Sequence, residues 1–326
     1  MNNHLTYISQ LPKVKSRKAV RIGTDCSGIE APIQALEALK LKYKHLFSSE
    51  IDKKTQKLLF ANYGKPKNFS DDITKRDHTK LPKIDLYVAG FPCQAFSHLG
   101  KRGGFDDYKG RGTIFFECYK TIIATTPSMF ILENVKGLVT HDNGDTFKTI
   151  LRYLNQLDYD IYHQILNTKD YGLPQNRERI FIIGLKKSKH NKFEFPKPIP
   201  LKITVSDILD KRVKKTELTE HKKNILKNLQ KNGYKLSKPW VVNLNCSGYE
   251  RSSPMLNISP CLMHSGAIYY ITSKKRNLTP SEFLKLQGFH RFNFDGEYAK
   301  IYQAAGNSMS VSVIAFLIAN MIKSQK

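Results

Sequence analysis

The feature that most constrains this chain is an alternation of strand-like and helix-like segments from Ala19 to Leu185. Ala19–Gly23 reads as a short strand, followed by the turn Asp25-Cys26-Ser27-Gly28. Glu30-Ala31-Pro32 opens a helix carrying Ile33, Leu36 and Leu39 at helical spacing. His45–Ile51 predicts a strand and Asp52–Asn62 a helix; Asp85–Ala89 is a buried-type strand; Thr113–Thr125 is helical. Met129–Leu132 (strand), Asp145–Gln156 (helix) and the strands Asp160–Asn167 and Arg179–Leu185 close the series. Such alternation predicts an α/β fold, a doubly wound, mostly parallel sheet covered by helices on both faces.

The rhythm breaks near Lys186. From Lys186 to Lys238 there are 16 Lys/Arg and 5 Asp/Glu, a local charge of +11. Pro196, Pro198 and Pro200 precede a basic helical piece around Ser206–Gln230. Trp240–Leu244, Cys261–His264 and Ala267–Thr272 read as short β pieces between polar loops. This predicts a second, smaller, irregular domain over 187–272. Regular helix returns with Thr279 as N-cap, Pro280 at N1 and Glu282 closing a capping box. The apolar run Val311–Ile322 predicts a helix packed on the first sheet, which makes the first domain discontinuous: 1–186 plus 273–326.

Composition narrows the function classes. The whole chain, 326 residues, carries a net charge of +25. That favours a polyanionic partner, nucleic acid first and an anionic membrane or ribosome next. A·T-rich coding, which favours Lys, Asn and Ile, is the other source of such an excess. No run of 18 apolar residues exists, so no membrane span is expected. Residues 1–17 lack the apolar segment of a secretory signal. Five irregularly spaced cysteines (Cys26, Cys93, Cys118, Cys246, Cys261) give neither a disulfide framework nor a zinc-site spacing. The expectation is a reducing, cytoplasmic setting and no metal.

Five places carry chemistry. A short glycine-containing turn after the first strand, with Glu50 and Asp72 at later strand ends, is where a nucleotide-like cofactor lies in a doubly wound sheet. A plain tight turn and two solvated carboxylates read the same residues equally well. Gly90-Phe91-Pro92-Cys93-Gln94 places a cysteine directly after a buried strand, where a nucleophile has access. The Gly- and Lys/Arg-rich stretch Ser97–Arg111 suits a loop over nucleic acid. Glu133 ends another strand and suits acid/base work, and Gln175–Arg179 can present Arg177 and Arg179 toward one face; a surface pair with Glu178 is the alternative.

In this order the segments resemble the DNA (cytosine-5)-methyltransferase family. The matching stretches are Phe91-Pro92-Cys93-Gln94, Arg111-Gly112-Thr113 to Phe116, Glu133-Asn134-Val135 and Gln175 to Arg179. Leu278-Thr279-Pro280, Leu286-Gln287-Gly288-Phe289 and Gly306-Asn307-Ser308 complete them. The resemblance covers about 19–187 and 276–322. It leaves 187–272 as the family's variable target-recognition region.

The resemblance implies a class I, Rossmann-like catalytic domain that takes a methyl group from S-adenosylmethionine, leaving S-adenosylhomocysteine. The acceptor is carbon 5 of cytosine in a specific double-stranded DNA sequence. It implies that the target base is flipped out, that Cys93 attacks carbon 6, and that Glu133 holds N3 and the exocyclic amine. Arg179 holds the carbonyl oxygen and Arg177 helps order the site and its phosphates. The implied cofactor residues are Asp25, Cys26, Gly28, Ile29, Glu50, Ile51, Asp72, Ile73, Pro92, Ile114, Tyr302, Asn307 and Ser308. The implied DNA contacts are Gln94, Ser97, Leu99, Lys101, Arg102 and Arg111, with Tyr249, Arg251 and His264 reading bases from loops 245–253 and 263–267. A monomer of bacterial or viral restriction-modification type is expected; a cognate restriction endonuclease, where one exists, acts independently. Two departures stand out. The family's first turn reads Phe-x-Gly-x-Gly-Gly; here Cys26 replaces the aromatic residue, and Glu30 and Ala31 replace two glycines. A Thr-Leu pair of the recognition region is here Cys261-Leu262. Two other readings exist: a tRNA-modifying branch, which usually carries a Cys-Phe-Thr tripeptide that this chain lacks, and an inactive DNA-binding regulator, in which Cys93, Glu133 or the arginines are lost.

Overall fold

The computed structural model describes residues 6–16, 18–92, 113–294 and 298–326. Cys93, Gln94, Ser97, Leu99, Lys101, Arg102 and Arg111 lie outside the described residues. The chain forms two compact units, each built from separated stretches. The described residues of the larger are 11–16, 18–92, 113–166, 178–197 and 313–326; those of the smaller are 6–10, 167–177, 198–294 and 298–312.

The larger unit holds a seven-stranded sheet. Its strands are β1 (Val20–Asp25), β2 (Tyr43–Ser49), β3 (Asn68–Ser70), β4 (Leu86–Ala89), β5 (Met129–Val135), β6 (Tyr159–Asn167) and β7 (Glu178–Lys186). Their order is β3-β2-β1-β4-β5-β7-β6. The pairs β1/β2, β1/β4, β2/β3 and β4/β5 are parallel, while β7 runs antiparallel to β5. All of β4 and most of β5 are buried, as expected for central strands covered on both faces. The strand order reverses beside β1, so the C-terminal ends of β1 and β4 flank the crevice where ligands bind in such sheets.

The helices of this unit are α1 (Ala31–Ala38), α2 (Lys53–Tyr63), α3 (Ile114–Thr125) and α4 (Asp145–Leu154). Asp52 caps α2 by accepting from the Thr55 amide at 2.7 Å, and α1 starts with Pro32 in its first turn. One face of α4 buries Phe147, Ile150 and Leu154 against a core that includes Phe47, Tyr87, Phe115 and Phe130. β3 escaped the sequence reading because its three half-buried residues carry no alternation.

The smaller unit holds a four-stranded antiparallel sheet of β8 (Trp240–Asn243), β9 (Met255–Leu256), β10 (Tyr269–Ile271) and β11 (Arg276–Asn277), in the order β11-β10-β8-β9. Its helices are α5 (Val205–Ile208), α6 (Glu220–Lys231), α7 (Pro280–Gln287) and α8 (Tyr298–Asn307); α9 (Val311–Ser324) runs from it into the larger unit. The most apolar window within Ala299–Ser324 is 83% buried inside the protein, as in a core helix.

Thr279 and Glu282 cap α7 reciprocally, Thr279 Oγ1 accepting from Glu282 N at 3.2 Å and Glu282 Oε2 from Thr279 N at 2.7 Å. The helix expected around Ser206–Gln230 is broken. Only α5 and α6 form, and between them Asp210 bonds Thr279 and Lys285. Cys261–His264 is not a strand; Gln175 and Arg177 side chains hold its backbone instead.

Compactness divides the chain elsewhere than the expected boundaries at 186/187 and 272/273. Phe283 and Leu286 of α7 and Ala305 of α8 pack on Val241, Tyr269 and Ile271, so residues 278–312 fold with the small sheet.

Candidate active site and cofactor turn

The candidate cofactor turn lies at the end of β1. Cys26, Gly28 and Glu30 all sit in the left-handed region, at φ 48°, 56° and 59°. Gly28 fits there because it has no Cβ. The Gly28 amide donates to Glu50 Oε2 at 2.9 Å, and the Ser27 amide donates to Ser49 O at 3.0 Å, so the turn is laid against the end of β2. Glu50 Oε1 also accepts from the Asp52 amide at 2.9 Å. Next to it, Ile51 is 72% exposed, a large apolar side chain left facing outward beside a half-buried carboxylate. That pairing suits a ligand with a hydroxylated ring and a flat apolar ring. Ile29 and Ile73, by contrast, are buried, and Pro92 and Ile114 are half-buried.

Asp25 is wholly buried. Arg76 grips it with two bonds, 2.8 and 2.7 Å, and it also accepts from Ser49 Oγ at 2.7 Å, Tyr87 Oη at 2.8 Å and Thr121 Oγ1 at 3.2 Å. Its carboxylate is therefore committed inward, and what Asp25 offers a ligand is its place in the chain. Burial and the Asp25 charge push the neighbouring Cys118 thiol up to about 12. Burial also pushes the half-exposed Cys26 thiol upward, with the charges of Cys118, Asp25 and Glu50 adding to it. Neither is a ready nucleophile. Asp72 Oδ1 accepts from the Thr74 hydroxyl at 2.7 Å and amide at 2.9 Å, which lowers its pKa. Asp72 lines a cleft of about 460 Å³ with Lys65, Phe69, Ser70, Asp71, Lys75 and Arg76.

Glu133 and Arg179 meet across β5 and β7. The antiparallel register pairs Glu133 with Phe181 and Val135 with Arg179, which makes Glu133 and Arg179 diagonal neighbours on one face. Arg179 Nε lies 3.2 Å from Glu133 Oε1, with side chains 15% and 9% exposed. Asn134 points to the other face and donates from Nδ2 to Phe91 O at 3.2 Å. It thereby ties the end of β5 to the segment that leads into Pro92 and Cys93. The sequence signal for this tie is an amide ending an otherwise apolar strand.

Arg177 belongs to the smaller unit. It is 2% exposed, and its guanidinium donates to Leu262 O at 3.0 Å, Gly306 O at 3.1 Å and Ser308 O at 2.8 Å. This is a clamp on backbone. Gln175 donates to Leu286 O at 3.0 Å and accepts from Leu262 N at 3.2 Å, while Gln287 donates to Ala305 O at 2.6 Å. The segments 261–262, 286–287 and 305–308 are thus knitted together. Gly306 allows the closest approach: a Cβ there would lie 2.0 Å from Met263 O. The exposed pair His264 and Asn307 is hydrogen bonded at 2.6 Å, and Tyr302 donates to Leu278 O at 3.0 Å. Burial pushes the Tyr302 phenol up to about 12. Tyr249 is half-buried and Arg251 is exposed on the 3₁₀ turn Tyr249–Arg251.

A family model described as C-5 cytosine-specific DNA methylase matches residues 25–323. The chain belongs to this family. It is a DNA cytosine-5 methyltransferase. Among its relatives are the type II methyltransferase M.HaeII of Haemophilus aegyptius, 39% identical over 95% of this chain and 94% of that one, and M.SsoII of Shigella sonnei, 41% identical over 82% and 71%. M.HhaI of Haemophilus parahaemolyticus is 32% identical over 85% and 86%. Among solved structures, the Entamoeba histolytica methyltransferase EhMeth superposes with a TM-score of 0.70 at 19% identity, covering 94% of this chain and 99% of that one. That likeness shows the shared fold. Among the described residues of this methyltransferase no group of His, Cys, Asp or Glu is placed to hold a metal ion.

Proposed function

We propose that this methyltransferase acts on cytosine flipped from a specific double-stranded DNA sequence, through a covalent intermediate on Cys93. The observation that carries the reading is the Glu133–Arg179 pair, held at the sheet end beside the Phe91–Pro92 segment. Cytosine is a poor nucleophile at carbon 5. Addition of the Cys93 thiolate to carbon 6 forms a sulfur–carbon bond and moves the ring electrons toward carbon 5. Glu133 holds N3 and the exocyclic amine, and Arg179 holds the carbonyl oxygen, so the charge arising on the ring meets a fixed environment. Once carbon 5 has taken up the methyl group, loss of its proton to solvent expels Cys93 as thiolate and restores the ring. Arg177 serves this site by clamping backbone.

S-adenosylmethionine supplies an electrophilic methyl group when bound. Glu50, Ile51 and Gly28 suit its ribose and adenine, with Asp72 at the adenine edge and Tyr302, Asn307 and Ser308 toward the methionine end. The residues fit: a half-buried carboxylate, an outward apolar side chain and a glycine turn stand together. The local charge of +11 over Lys186–Lys238 supports phosphate contact, and Tyr249, Arg251 and His264 are the proposed base-reading residues. We assign 187–272 to target recognition, the enzyme to the compartment that holds DNA, and its working form to a monomer that needs no endonuclease partner.

The test is a duplex carrying 5-fluorocytosine at the target, incubated with S-adenosylmethionine. A denaturation-resistant adduct that maps to Cys93 and vanishes in Cys93→Ser is expected. No adduct, or near-normal methylation by Cys93→Ser, would overturn the mechanism. Bisulfite sequencing of plasmid DNA from an expressing strain gives the recognised sequence.

A further inference from the structure

The cofactor turn contains a residue whose cost to the fold has no counterpart in the chemistry above. Glu30 occupies a left-handed conformation that glycine favours, at φ 59° and ψ 50°, in a position where the family carries glycine. Its carboxylate is wholly buried. Oε1 accepts from Thr24 Oγ1 at 2.9 Å and Ser48 Oγ at 2.8 Å, and His45 Nε2 stands 3.5 Å away. Oε2 is buried with no hydrogen-bond partner among the described residues. Burial raises the pKa of this carboxyl, with His45 and the hydroxyls opposing the shift. A strained backbone and a desolvated carboxylate both act against folding, and such features persist where surroundings over-determine them at functional sites.

The partners show what the carboxylate does. Thr24 lies near the end of β1, His45 and Ser48 lie on β2, and Ser27 Oγ of the turn is 2.8 Å from Ser48 Oγ. The carboxylate therefore cross-links the ends of two strands beneath the turn, while Glu50 holds the Gly28 amide above it. A carboxylate has about four acceptor sites, so two ribose hydroxyls share Glu50 with the Gly28 and Asp52 amides and weaken its hold on the turn. We infer that Glu30 is a positioning residue that holds the cofactor turn in its binding shape when Glu50 turns to S-adenosylmethionine. This rests on the reading of the β1 turn and Glu50 as the cofactor site.

Glu30→Gly keeps the backbone conformation and removes the carboxylate. The expected result is a rise of about tenfold in both Kd and KM for S-adenosylmethionine, the scale of losing hydrogen bonds to a charged group, with kcat within about twofold of wild type. Glu30→Gln retains an acceptor oxygen of the same reach and restores most of the affinity, which a loss of bulk stability would not produce. Ser48→Ala moves Kd in the same direction and carries the test alone where Glu30→Gly does not fold. Wild-type Kd and KM in the folded variants, or a fall in kcat at unchanged KM, overturns the inference. Glu50→Ala separates the two readings. If it weakens binding while Glu30→Gly does not, only the role of Glu30 fails; if neither matters, the cofactor site itself is misplaced.

Discussion

Replacing Arg76 by Met tests whether Asp25 serves the fold or the cofactor. Arg76 and Asp25 have side chains 5% and 0% exposed, and the guanidinium also donates to Thr121 Oγ1 at 2.9 Å. Removing one partner of such a buried pair leaves an uncompensated charge, at a cost of about 3–5 kcal/mol. Ser49, Tyr87 and Thr121 still donate to Asp25 in the variant, which favours the low end, about 3 kcal/mol. For a unit of this size that lowers Tm by roughly 6–12 °C, measured by circular dichroism at neutral pH. The double variant Asp25→Leu with Arg76→Met removes both charges and recovers to within about 1–2 kcal/mol of wild type. Asp25→Asn lowers stability with KM for S-adenosylmethionine unchanged. A loss below about 1 kcal/mol in Arg76→Met, or a raised KM with full stability in Asp25→Asn, refutes the reasoning.

Three further outcomes are expected. Glu133→Gln and Arg179→Ala each lower kcat by about 10²–10⁴ in a methyl-incorporation assay on protein that remains folded, since both act on the ring charge. Gly306→Ala drives its Cβ into the Met263 carbonyl at 2.0 Å, so thermal unfolding shows a destabilised protein with reduced DNA affinity, and wild-type stability would contradict the close packing. Burial alone would raise the pKa of Asp210, but bonds from Lys285 at 2.5 Å and Thr279 at 2.6 Å outweigh it and lower the pKa. The stabilisation is present above about pH 4, the unfolded value, and is lost as pH falls through the folded one. Urea midpoints of Asp210→Asn therefore fall less between pH 5 and pH 3 than those of wild type.

The repeating strand–helix pattern was legible because buried parallel strands are runs of apolar residues and helices carry caps, as at Thr279 and Glu282. The Glu133–Arg179 site was legible as residues but not as geometry. Strand β7 begins at Glu178, so Arg177 stands before the ladder and Arg179 within it, and the two arginines are sent to different tasks. Asp25 illustrates what local sequence cannot carry: its ion partner lies 51 residues away, and nothing around Arg76 announces the pairing. Residues 187–272 were the least legible, because the backbone at 261–262 is held by Gln175 and Arg177 rather than by strand pairing.

The interleaving of the two compact units has a consequence for biosynthesis. Residues 313–326 belong with the seven-stranded sheet but follow Pro198–Ser312 in the chain. At roughly 5–20 residues per second, a ribosome takes about 6–23 s to make that intervening stretch. Through that interval the sheet waits on the nascent chain without its last helix, its apolar surface open to chaperones. Neither unit is obtainable by a single truncation, and a circular permutant that delivers 313–326 early is the variant suited to vectorial folding.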